Sequence, residues 1–124
     1  MEIGVVTLFP ELVKTVTEHG VVAKACSRGT ATLHCWNPRD YAKDRHRTVD
    51  DRPYGGGPGM LMQVGPLQSA IGAARDGLAG RPKVVYLSPQ RKTLVQQDLR
   101  AGQSKEVWYW CVAGTKVLMS VYWS

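Results

Sequence analysis

Between Arg45 and Met60 the chain reads RHRTVDDRPYGGGPGM, and neither a helix nor a regular strand is expected to pass through it. Gly55, Gly56 and Gly57 are consecutive, Pro58 and Gly59 follow, and Pro53 precedes them. Glycine makes ordered backbone entropically costly, and proline removes a backbone donor. The stretch therefore predicts a loop. Its first half carries Arg45, His46, Arg47, Asp50, Asp51 and Arg52, a charge density that suits a polyanionic partner. A formal charge of +6 over 124 residues points the same way, although net charge alone is a weak signal.

On either side of the loop, strand and helix patterns alternate. Ile3 to Leu8 is a compact apolar run of the kind found in a strand buried on both faces. Pro10 opens a helix whose apolar face is expected to hold Leu12, Val13 and Val16, with Gly20 as its left-handed stop. A short helical piece from Val21 to Arg28, closed by Gly29, leads to an alternating strand from Thr30 to Trp36. Asn37-Pro38 ends that strand and the long loop runs on to about Met60. Pro66 then opens a helix with a stripe of Leu67, Ala70, Ile71 and Ala74, ending at Gly77 or Gly80. Lys83 to Leu87 reads as a third strand. The order β, α, β, loop, α, β predicts one α/β domain: an open, mostly parallel sheet with helices on both faces.

Composition excludes several classes. Hydrophobic residues at 44% and charged residues at 21% describe a globular chain rather than a disordered one. The cysteines, Cys26, Cys35 and Cys111, are odd in number and lack C-x-x-C spacing, so reduced thiols in the cytoplasm are expected rather than a disulfide framework. His34 has no second ligand near it at metal spacing, and no metal site is expected. The start, MEIGVVTLFPEL, reads as a first strand rather than a signal peptide. No segment approaches the ~18 apolar residues of a membrane span.

The glycine run invites a phosphate-cradle reading, since backbone N–H groups in such turns bind phosphates. No Gly-Lys-Ser/Thr follows, however, and no G-x-G-x-x-G joins a strand to a helix, which argues against an ATPase or a nicotinamide enzyme. A flexible connector remains open, against which stand the apolar Val49, Tyr54 and Met60. The Arg and Asp residues are compatible with a self-neutralising solvated surface or with phosphate recognition, with Tyr54 stacking on a base. Ser88-Pro89-Gln90 lies at a strand's carboxyl end, where open α/β sheets bind ligands and where strands also simply end.

Longer wording narrows these choices. The segment HRTVDDRPYGGGPGMLM, with Leu8-Phe9-Pro10-Glu11, Trp36-Asn37-Pro38-Arg39-Asp40 and Tyr86-Leu87-Ser88-Pro89-Gln90, closely resembles the bacterial tRNA (guanine-N1)-methyltransferases of the TrmD family, in the SPOUT superfamily. The resemblance covers about residues 1–100. It implies transfer of a methyl group from S-adenosylmethionine to N1 of guanosine 37, just 3′ of the tRNA anticodon. It also implies a homodimer with active sites between subunits and, in the intact family, a trefoil knot. By the same resemblance Tyr86, Leu87, Ser88, Pro89 and Gln90 form the first cofactor segment. His46, Arg47, Asp50, Arg52, Tyr54, Gly55, Gly56, Gly57 and Gly59 belong to the tRNA side. Guanine N1 is a protonated, poor nucleophile and needs a general base. In the family that base is a downstream Asp, so no catalytic residue is expected in this chain.

The chain departs from the family pattern in two places. Arg91 follows Gln90 where the family commonly has glycine. After about Gln103 the resemblance fades, and from Val107 the tail reads VWYWCVAGTKVLMSVYWS, with three of the four Trp residues. Read from the third base of each codon, with permitted codon choices, this tail becomes VVLVCGRYEGFDERLLE, the family segment expected there. A frameshift between about Asp98 and Glu106 is therefore expected, with the family's cofactor glycine straddling Val112 and Ala113. Residues 1–106 would then be the N-terminal part of the cofactor domain and 107–124 an aberrant tail, with the C-terminal tRNA-binding domain absent. Val107 to Val112 keeps strand character. A chain of this kind is expected to leave the knot incomplete and to be inactive. Alternatives are a non-catalytic RNA-binding module and a gene fragment without function.

Overall fold

A computed structural model describes residues 1–56, 61–80, 83–86, 95–103 and 107–112. Among the described residues the main sheet has four strands in the order β2-β1-β6-β5: β1 Glu2–Thr7, β2 Thr32–Trp36, β5 Lys83–Tyr86 and β6 Val107–Val112. All three pairings are parallel, with Val6 opposite Trp36 and Cys111, and Tyr86 also opposite Cys111. The β-branched run at the start thus becomes an inner strand, and its Val5, Val6 and Thr7 are buried. The Thr7 hydroxyl, a buried polar group, accepts a hydrogen bond from the Phe9 amide at 3.1 Å.

Helix α3, Val64–Gly77, covers the face that carries Val6 and Trp36. Leu67, Ala70 and Ala74 are its buried residues, as the stripe predicts, and they pack with Val6, Met62 and Leu78. Two alanines four residues apart lie on one helix face and let the helix approach the sheet closely. Registered residues share a face and successive ones alternate, so Val5 and Cys35 face the other way. Cys35 feels Lys14 and Glu11 of α1, Pro10–Thr15, so α1 lies on that second face. Burial is the main influence on the Cys35 thiol and raises its pKa; Lys14 draws it down and Glu11 pushes it up. Helices therefore flank both faces.

Three expectations change. α1 stops at Thr15 rather than running to Gly20, because the Thr15 and Thr17 hydroxyls donate to the Leu12 and Lys14 carbonyls and compete with the helical ladder. Gly20 is left-handed, with φ +69°, but it opens α2, Gly20–Ser27, instead of closing α1. Leu12 and Val16 are 69% and 57% exposed, so the apolar face foreseen for this helix is not buried. A fourth helix, α4 Gln96–Gln103, precedes β6 in a segment with no element foreseen, while β6 takes the bounds foreseen for it. Cys26 and Cys35 are free thiols. Among the described residues no helix is long and apolar enough to cross a membrane.

Candidate functional site: a braced loop at the carboxyl edge of the sheet

The loop after β2 is more ordered than its glycines suggest. Asn37 ends the strand, and its side-chain oxygen accepts from the Arg39 amide at 3.0 Å, capping a 3-10 helix, Pro38–Tyr41. Pro38, its first residue, is fully buried. Arg47 pairs with Asp40, and its Nε donates to the Arg39 carbonyl at 3.1 Å. Asp44 accepts from the Thr48 amide at 2.8 Å and from the Thr48 hydroxyl at 2.5 Å. Those bonds, the hydroxyl's first, hold the Asp44 carboxyl below the ordinary carboxylate pKa.

Beyond this bracket Val49 is 1% exposed, and its carbonyl accepts from the Gln63 amide at 2.6 Å. The two-residue strands β3 Asp50–Asp51 and β4 Leu61–Met62 then pair antiparallel, Asp50 opposite Met62 and Asp51 opposite Leu61. Within the stretch foreseen as loop, Asp50–Asp51 is thus paired as one side of a short stem, anchored by Val49, while the other described residues are not strand. Local composition hid the stem because two aspartates are poor strand formers; tertiary anchoring of Val49 and Met62 overrides that preference. Arg52 donates its amide to Asp51 at 2.7 Å, and a turn closes through the Gly56 amide and the Pro53 carbonyl at 3.1 Å. Gly55 and Gly56 take φ of +83° and +80°, values that side chains resist.

Of the residues foreseen on the tRNA side, His46, Arg47, Arg52, Tyr54, Gly55 and Gly56 are exposed and Asp50 is partly buried in the stem. Tyr54 stands fully in solvent. Gly57 and Gly59 lie outside the described residues. Of the cofactor residues, Tyr86 is the last residue of β5, while Leu87, Ser88, Pro89 and Gln90 lie outside the described residues. A cleft of about 500 Å³ opens between the loop and the start of α3, lined by Tyr41, Lys43, Asp44, Thr48, Gln63 and Ser69. Sequence reading missed Asp40, Asp44 and Thr48, whose only local sign was a polar spacing of four residues.

Because all four strands run in parallel, the loop after β2, the end of β5 and the end of β6 leave the sheet at one edge. Ligands of open α/β sheets bind at this carboxyl edge. β2 and β5 are the outer strands, so with three inter-strand spacings the loop's root lies roughly 14 Å from the end of β5.

Residues 1–114 match the sequence profile of the family described as tRNA (Guanine-1)-methyltransferase TrmD. The chain belongs to the TrmD family. Relatives named tRNA (guanine-N(1)-)-methyltransferase include one from Aliivibrio salmonicida, 57% identical over 96 residues, and one from Shewanella loihica, 59% identical over 99 residues. These alignments cover 77% and 80% of this chain but only 39% and 40% of those relatives. The crystal structure of the tRNA (m1G37) methyltransferase from Aquifex aeolicus superposes with a TM-score of 0.78 at 27% identity, covering 90% of this chain and 50% of that one. The TrmD profile extends through β6, so the strand that departs in wording occupies a place that belongs to the family's sequence.

Proposed function

We propose that this chain is the cofactor-domain part of an S-adenosylmethionine-dependent tRNA (guanine-N1)-methyltransferase acting on guanosine 37, as a cytoplasmic homodimer. The family match over residues 1–114 carries this reading. The common edge at which the loop, β5 and β6 end supports it.

S-adenosylmethionine supplies an electrophilic methyl group when bound. A row of parallel strand ends is chemically suited to such a cofactor, since backbone groups there are free to hydrogen-bond an adenine edge. The chain's part is to hold and orient. Tyr86, Leu87, Ser88, Pro89 and Gln90 form the first wall of the cofactor pocket. The loop faces RNA: His46, before the hairpin, and Arg52, beyond its stem, meet phosphates, Tyr54 stacks on an unpaired base, and Gly55, Gly56, Gly57 and Gly59 let the RNA backbone come close. Asp50, at the root of the tip, faces the target nucleotide, which is unstacked for reaction. Alignment of the methyl group with N1 is the main catalytic service of such walls. The roughly 14 Å between the roots of the two walls suits a site completed by a second subunit.

We further propose that residues from Val107 onward are an out-of-frame reading of the family's next cofactor segment. Valine and alanine at 112 and 113 stand where the shifted frame supplies one glycine, and a backbone that must approach a ligand closely needs that glycine. The chain as written is therefore expected to transfer no methyl group to tRNA bearing guanosine 37, and the product of the frame-corrected gene is expected to do so. Activity in the chain as written would refute the frame argument, as would an early stop codon in the third-base frame. A non-catalytic RNA-binding module is the second reading, favoured by the exposure of Arg52 and Tyr54 beyond the paired stem.

A further inference from the structure

Arg47 lies in the loop assigned to the RNA side, yet its guanidinium is turned back on its own chain. Nη2 pairs with Asp40 and Nε donates to the Arg39 carbonyl at 3.1 Å, so the planar fork is engaged by the 3-10 helix. Its backbone is left-handed, with φ +53°, a conformation that non-glycine residues keep where their surroundings hold them. The Arg47 amide donates to the Asp44 carbonyl at 3.1 Å, and Asp44 then grips Thr48 through both carboxylate oxygens. Buried Val49 and the hairpin stem follow directly. Arg47 is thus the corner at which the chain turns from the 3-10 helix into the hairpin.

We propose that Arg47 is a positioning residue rather than a phosphate contact: clamped to Asp40 and the Arg39 carbonyl, it sets the direction in which the hairpin presents Arg52 and Tyr54 to RNA. This rests on the reading that the loop faces tRNA. Stability does not explain the pair, since its side chains are 56% and 60% exposed and an exposed ion pair adds little. Electrostatics gives the two roles opposite signs. If Arg47 served phosphates, Asp40 would be a charge repelling a polyanion, and its removal would tighten binding. If Arg47 is a clamp, removing Asp40 releases the corner and weakens binding although the chain gains net positive charge.

The test titrates a fluorescently labelled anticodon stem-loop, carrying guanosine 3′ of the anticodon, with the full chain and its variants over a range of salt. Asp40→Asn and Arg47→Lys are expected to weaken binding several-fold, with an unchanged salt slope and unchanged far-UV dichroism. Tighter or equal binding by Asp40→Asn overturns the proposal. So does a salt slope lower by about 1 in Arg47→Ala with wild-type affinity in Arg47→Lys, which is the pattern of a lost phosphate contact. The Arg47 Nε–H exchange rate, measured by NMR without RNA, separates the two levels of inference. If wild type binds no stem-loop, the RNA reading falls; slow exchange in wild type and fast exchange in Asp40→Asn still supports the clamp. Equally fast exchange in both overturns it.

Discussion

Two residues show how a single contact decides a local outcome. An alanine at Gly77 would gain up to about 1 kcal/mol of helix propensity. Its Cβ, however, would stand 2.9 Å from Trp36 Cζ2, and that ring packs against the core. Overpacking against a rigid ring costs about 1–3 kcal/mol, and propensity counts least at the last helical position, so the clash wins. Gly77→Ala is expected to lower the urea midpoint, and Trp36→Leu to lessen that effect in the double variant. At Asp44 the folded pKa is depressed, so the grip on Thr48 is present above the unfolded pKa and is lost as pH falls through the folded value. Thr48→Ala removes the largest cause and is expected to move the Asp44 carboxyl titration, followed by NMR, upward towards its ordinary value. An unmoved midpoint would show that the hydroxyl is not the cause.

Among the elements, α3 is where local pattern and packing agree. Leu67 is 4% exposed in the core cluster, and Leu67→Ala is expected to cost about 2–5 kcal/mol in denaturant unfolding. That is a large share of the ~5–15 kcal/mol that holds a typical domain together. α1 shows the opposite case. Its apolar residues were legible, but six residues interrupted by threonine hydroxyls make too short a helix to bury Leu12 or Val16. The hairpin lies between these two. Its glycines announce a turn at the tip, whereas the stem exists because Val49 and Met62 are buried at its root.

At the scale of the molecule, β6 lies between β1 and β5 rather than at the sheet's margin. A central parallel strand asks for apolar, β-branched or aromatic residues and full backbone pairing, and VWYWCV meets that demand. Under the proposed change of frame the sheet keeps a central strand, while the cofactor segment that would follow it is lost. Calorimetry with S-adenosylmethionine is expected to give no measurable heat with the chain as written and 1:1 binding with the frame-corrected protein. Equal binding by both would place the cofactor entirely on the segment after β5.

By itself the sequence determined the α/β class, the bounds of β6, the buried stripe of α3 and the family, because those rest on local periodicity and on long specific wording. The residues that form the loop were legible too. Only the tertiary structure decided which of them are tied back to the chain. Arg47 and Arg52 are equivalent as residue types and both are exposed, but Asp40 and the Arg39 carbonyl engage the Arg47 guanidinium. The same holds for the sheet: periodicity marks each strand, but the order β2-β1-β6-β5 depends on pairings between distant segments, above all Glu2 at the start of the chain beside Val107 near its end. No local pattern encodes those pairings.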